Sequence, residues 1–162
     1  MKNYYSKLSR KKFKTITILF MAFGDLVLCR WLWMRFIENP RIGQFIELAI
    51  KKIEETGQLA TNALPADYFE QILMLMKKSL LIMFGAIIIV HAINYYGYWK
   101  DKSISFYYLR LIAWTGSVGA FFVGVSSLSL GVIGYAILLL SFMYMYVALG
   151  FLYHPAQEIV RE

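Results

Sequence analysis

Four stretches of this chain stay apolar over a length that a soluble core helix rarely needs: Thr15 to Ile37, Ser79 to Tyr98, Ile104 to Val125 and Gly131 to Tyr153. At 1.5 Å per residue each makes roughly 30 Å of α-helix or more, enough to cross the hydrocarbon core of a bilayer. A helix in that setting satisfies its own backbone polar groups, which lipid cannot do. The pattern therefore predicts an all-α integral membrane protein, a four-transmembrane-helix bundle forming a single membrane domain over residues 1–162. The first run is too long for the apolar core of a secretory signal and lacks a small-x-small cleavage site, so it reads as an uncleaved anchor.

Between the first and second runs, residues 38–78 are polar, with six acids against five cations. Within them Ile42, Phe45, Ile46, Ala49, Ile50 and Ile53 recur at helical spacing, and Glu47, Lys51, Lys52 and Glu54 take the other face. This is the pattern of an amphipathic helix, preceded by the break at Asn39-Pro40 and ended by Gly57. Gln58 to Leu64 reads as a loop, and Pro65 is suited to open the next helix, which continues to Trp99. The later connections, Lys100 to Ser103 and Ser126 to Leu130, are short enough to force an antiparallel meander.

Charge orients the runs. Lys2, Lys7, Arg10, Lys11, Lys12 and Lys14 precede the first run with no acid among them, and Lys100 and Lys102 fall on the same side two crossings later. By the positive-inside rule, residues 1–14 and 154–162 are cytoplasmic and residues 38–78 extracytoplasmic. With a single cysteine and this charge pattern, a bacterial inner membrane is the expected location. The net charge of +7 raises the question of nucleic acid, but 59% of the residues are hydrophobic and the cations cluster beside a span. Anionic headgroups explain them, and nucleic acid is not an expected partner. Tyr95, Tyr96, Tyr98 and Trp99 read as an interfacial aromatic belt, continued by Tyr107 and Tyr108, while Arg30 is expected to reach the outer headgroups beside Trp31 and Trp33.

Candidate chemistry is confined to a few polar residues. An ionised carboxylate at mid-bilayer costs about 2.5 to 3.5 kcal/mol on insertion scales, so Asp25 must be protonated, paired or wet. Counting from the cytoplasmic charges puts Asp25 about 16 Å deep, His91 about 13 Å, Arg110 about 12 Å and Tyr144 about 15 Å. The four form a candidate polar layer, one residue from each helix, in which Arg110 would neutralise Asp25 or His91 and Tyr144 would hydrogen-bond it. The bland alternative is that Arg110 snorkels, His91 bonds a carbonyl and Tyr144 faces lipid. Gly116, Ala120 and Gly124 repeat every four residues, a stripe that admits another helix backbone closely.

Other chemistry is not indicated. Gly124-Val125-Ser126-Ser127 approaches the Gly-x-Ser-Gly of intramembrane serine proteases, but it lacks the last glycine, and Ser126 lies more than about 20 Å from the level of His91. His91 and His154 are too far apart for a metal site, and no phosphate loop, dinucleotide fingerprint or catalytic carboxylate pair occurs. Neither an enzyme nor a cofactor is expected. The leading expectation is a subunit or scaffold of a membrane assembly, with lipid as solvent and partners bound through the glycine stripe and residues 42–57. The alternative is a small proton- or cation-linked transporter or channel, a homo-oligomer in which Asp25 and His91 exchange protons. A pore-forming lytic role is the third.

Overall fold

The computed structural model describes Tyr5, residues 7–56 and residues 67–154. Within them every regular element is helical: α1 (Arg10–Phe36), α2 (Pro40–Glu55), α3 (Tyr68–Trp99), α4 (Ser103–Ser126), a 3-10 turn (Leu128–Leu130) and α5 (Val132–Tyr153). Four of these, α1, α3, α4 and α5, are long and apolar enough to cross a membrane. Gly57, the Gln58–Leu64 loop, Pro65 and the C-terminal tail lie outside the described residues.

The helices outrun the apolar stretches because lysine and arginine are good helix formers: hydropathy marks where lipid ends and says little about where helix ends. Thus α1 begins at Arg10, where Ser9 acts as N-cap and its Oγ accepts from the N–H of Lys12 at 3.4 Å. Pro40 likewise opens α2 as its first residue, with the Asn39 side chain accepting from the Arg41 N–H at 3.1 Å. The break between α1 and α2 is therefore also a helix start.

The chain groups into two compact units, Met1–Leu28 with Ile88–Glu162, and Cys29–Ile87. In the first unit, α1 buries Phe13, Thr17, Met21, Gly24 and Asp25, a stripe of helical period. Four aromatic rings, one from each long helix, meet around Phe151. Phe13, Tyr98 and Phe106 stand edge-on to it at centroid distances of 5.6, 5.7 and 5.0 Å. Edge-to-face pairs of this kind add about 0.5–1.5 kcal/mol each beyond the area they bury. Tyr98 is only 4% exposed, so this member of the expected belt faces inward, whereas Tyr96 and Trp99 are exposed.

The small residues of α4 are taken up within the chain. A Cβ on Gly124 would stand 2.8 Å from the backbone nitrogen of Leu138, and one on Gly116 would stand 2.5 Å from the ring of Tyr144. Ala120 is buried on the same stripe, and Ser141 Oγ donates to the Ser117 carbonyl at 2.8 Å. The stripe thus seats α5, and α5 completes the seat with a hydrogen bond, as small-residue interfaces in lipid do.

At one end of this unit the α3–α4 turn is tied to α1. Lys102 N–H donates to the Gly97 carbonyl and Asp101 N–H to the Tyr98 carbonyl, a Schellman pair with Asp101 at its left-handed position, φ 60°. Glycine is the usual occupant there. Asp101 instead receives Arg10 on one carboxylate oxygen at 2.5 Å and Lys14 on the other at 2.6 Å, and Lys14 Nζ also donates to the Trp99 carbonyl at 3.1 Å. Partial burial pushes the Asp101 carboxyl up, but the Lys14 hydrogen bond and the Arg10 charge outweigh it and hold the group below its ordinary value.

In the second unit, Arg30 makes a bidentate pair with Glu38 at 2.6 and 2.9 Å, and its side chain stays half exposed. That hydrogen bond holds the Glu38 carboxyl below its usual range. Gly43 of α2 faces the Phe69 ring of α3, so part of the apolar face of α2 is covered, while Phe45 remains 70% exposed. The end of α1 and the start of α3 flank an open apolar groove of ≈ 540 Å³, lined by residues that include Leu32, Phe36, Ile72, Met76 and Met83.

Two outcomes follow from this packing. Gly124→Leu should destabilise the protein in detergent by about 1–3 kcal/mol or prevent folding, because the obstruction is backbone, while Gly119→Leu, which meets nothing, should be neutral; thermal melts of the two variants compare them. A carboxyl depressed in the folded state stabilises above its unfolded pKa and loses that contribution as pH falls through the folded value. Stability should therefore drop in an acid limb below the ordinary aspartate range, and Asp101→Asn, which tolerates the left-handed backbone, should lower stability at neutral pH and flatten that limb in pH-dependent melts.

Candidate functional site

Within the first unit, α1 presents Asp25 and the last turns of α3 present His91 and Tyr95. Residues 91 and 95 are four apart and so share one helix face. The spacing lets them grip a single carboxylate: His91 Nδ1 lies 2.6 Å from Asp25 Oδ1, and Tyr95 OH donates to Asp25 Oδ2 at 2.6 Å. Asp25 is 8% exposed, so both oxygens exchange water for protein donors. Charge-assisted hydrogen bonds of this length are the strong kind.

Gly24 is the reason α1 can carry its acid so far inward. The hydroxyl of Tyr144, on α5, abuts the Gly24 backbone where any Cβ would stand. Tyr144 is 2% exposed and lies beside the cluster, but among the described residues it makes no hydrogen bond to Asp25. The Tyr108 ring of α4 stands edge-on to His91 at 5.8 Å and 71°. Around the one carboxylate of α1, then, the other three long helices contribute an imidazole and three phenols.

Of the four residues expected to form a polar layer, Asp25 and His91 are directly bonded, Tyr144 is adjacent, and Arg110 stands apart. Arg110 forms no ion pair among the described residues and is half-buried, so it does not neutralise Asp25. Its neighbour Leu109, 1% exposed, takes the inward direction, and the next residue on a helix points about 100° away. Tyr95 and Tyr108, assigned from sequence to the interfacial belt, belong to the cluster instead. The signal for Tyr95 was its position four residues after His91; for Tyr108 no comparable signal existed. Asn94, near His91 in sequence, donates to the Val90 carbonyl of its own helix at 2.9 Å.

The pair has a specific chemical capacity. A neutral imidazole that donates from its Nδ1–H to an aspartate can take a second proton at Nε2, giving an imidazolium–carboxylate pair without breaking the first hydrogen bond. The cluster can therefore hold a changeable charge with fixed geometry. Ser126, at the end of α4, is exposed and donates to the Val123 carbonyl of its own helix at 3.0 Å. Among the described residues no three His, Cys, Asp or Glu side chains gather as a metal site would require.

Compared with known proteins, the chain matches no family model, no curated protein and no solved structure.

The shared carboxylate should be visible as energetic coupling. In a double-mutant cycle, Asp25→Asn and Tyr95→Phe should couple by about 0.6–1.7 kcal/mol, the range of hydrogen bonds between membrane helices. Asp25→Asn with Arg110→Gln should show none. Unfolding in mixed detergent measures both cycles, and a large Arg110 coupling would reinstate it as the counter-ion.

Proposed function

We propose that this chain is an integral membrane protein of four spans, with both termini in the cytoplasm of a bacterial inner membrane, and that it acts as a non-enzymatic subunit or scaffold of a membrane assembly. The observation that carries the reading is the uneven use of apolar surface. Of the most apolar stretch of α3, 6% is buried, against 39% of that of α5. Leu81, Ile82, Ile89 and Ile93 of α3 are exposed, and so are Phe45 and Leu48 of the amphipathic α2. An apolar surface of this extent needs lipid, a partner or both to cover it.

The charges support the orientation. Cations gather at Arg10 to Lys14 and Lys100 to Lys102, at the same ends of α1, α3 and α4, while residues 38–78 balance acids against cations. The glycine stripe of α4 serves the α4–α5 contact, so the reading places partner contacts on α2 and the outward faces of α3. The polar cluster fits a structural role, since Asp25, His91 and Tyr95 satisfy one another.

A second reading, a proton-linked transporter or channel, is favoured by the 2.6 Å contact between Asp25 and His91, which can take up a proton in place. The two readings separate experimentally. In a Cys29→Ser background, a membrane-impermeant maleimide should label Lys51→Cys in intact cells and Lys102→Cys only after permeabilisation; the reverse pattern would overturn the topology. A photo-crosslinker at Phe45 or Leu48 should trap a second protein in native membranes. If it traps nothing, and proteoliposomes show a pH-driven flux that Asp25→Asn abolishes, the transporter reading replaces the first.

A further inference from the structure

Beside the Asp101 turn lies a hollow of ≈ 430 Å³ lined, among the described residues, by Arg10, Lys11, Lys14 and Trp99. Three cations on one wall repel each other unless something neutral or anionic separates them. Asp101 does this in part: it engages Arg10 and Lys14 on its two oxygens and leaves Lys11 without an ion pair among the described residues. The hollow therefore keeps an uncompensated positive charge.

Its geometry is fixed ahead of any ligand. Lys14 is 7% exposed, an unusual burial for a lysine, and its ammonium is held by Asp101 and the Trp99 carbonyl beneath the Tyr98 ring face at 5.8 Å. The left-handed backbone at Asp101 holds the carboxylate in place. Trp99, 40% exposed, also lines the hollow, and tryptophan is a side chain that favours the level where acyl chains meet headgroups.

We infer that this hollow binds the phosphate-bearing headgroup of an anionic phospholipid, with Lys11 and Arg10 facing the phosphate and Trp99 packing on the glycerol backbone. The inference rests on the membrane reading above, because it puts the ends of α1 and α3 at the inner headgroup level. A lipid is favoured over a free anion because the hollow sets an interfacial tryptophan beside its cations, which a soluble ion has no use for and a glycerol backbone can pack against. Removing one lysine at a membrane surface should weaken anionic-lipid attachment about fivefold, the equivalent of about 1 kcal/mol.

The test uses the full-length protein in nanodiscs containing equal amounts of phosphatidylglycerol and phosphatidylcholine, with retained lipids counted by native mass spectrometry. The expected result is preferential retention of phosphatidylglycerol, reduced about fivefold by Lys11→Gln and unchanged by Lys102→Gln, which lies at the same end but outside the hollow. Equal losses for both variants would show a diffuse surface potential and overturn the site. Displacement of the lipid by millimolar inorganic phosphate would identify a free anion as the ligand and overturn the lipid assignment. Lys11 is exposed, so its substitution leaves the fold intact. Failure of the protein to fractionate with membranes at all would instead refute the membrane reading.

Discussion

A carboxylate halfway along an apolar helix has to find donors before that helix can be buried away from water. Asp25 meets the requirement with His91 and Tyr95, each at 2.6 Å, and the solution constrains more than one side chain. It fixes the rotation of α1 so that Asp25 faces α3, and of α3 so that positions 91 and 95 face α1. Gly24 then has to face α5, since it precedes Asp25 by about 100° of helix turn. The close seat of Tyr144 on Gly24 is thus a consequence of where the acid points.

The same logic operates at the end of the unit. Lys14 belongs to the buried stripe of α1 and must be neutralised where it stands, and Asp101 supplies the charge from a turn whose backbone would be easier with glycine. Two tolerated costs, a left-handed aspartate and a buried lysine, offset each other through one ion pair. Asp25 and Lys14 lie eleven residues apart, about three turns on the same helix. Pinning one face of α1 at both levels leaves it little freedom to rotate.

How much of this the sequence disclosed follows from what each kind of signal measures. The four long helices were legible because a run of apolar residues is itself the requirement for crossing lipid, and α2 because its apolar residues recur at helical period. Depth was legible too: counting residues brought Asp25 and His91 to one level. Rotation was not, because α3 between Ser79 and Val90 is apolar on every side and gives no stripe to orient. Arg110, on α4, is matched to Asp25 by height alone, although Leu109 holds the inward direction. The Lys14–Asp101 link was hidden for a different reason, since it joins residues 87 apart through a turn that sequence marks only as short and charged.

Packing also separates the helices by the surface they leave over. On α4, Gly124 admits the backbone of α5 at Leu138 and Gly116 admits the Tyr144 ring, so this stripe of small residues is taken up by an internal contact. On α5, every third or fourth residue from Gly134 to Phe151 is buried. On α3 the bulky residues Leu81, Ile82, Ile89 and Ile93 remain bare, and β-branched and leucine side chains do not admit a neighbouring backbone as closely as glycine does. Around those residues, whatever covers α3 meets it side chain to side chain, with lipid tails or with the side chains of another apolar helix; at Gly85, where an added Cβ would meet nothing within 4 Å, the surface is lower and a backbone can come closer.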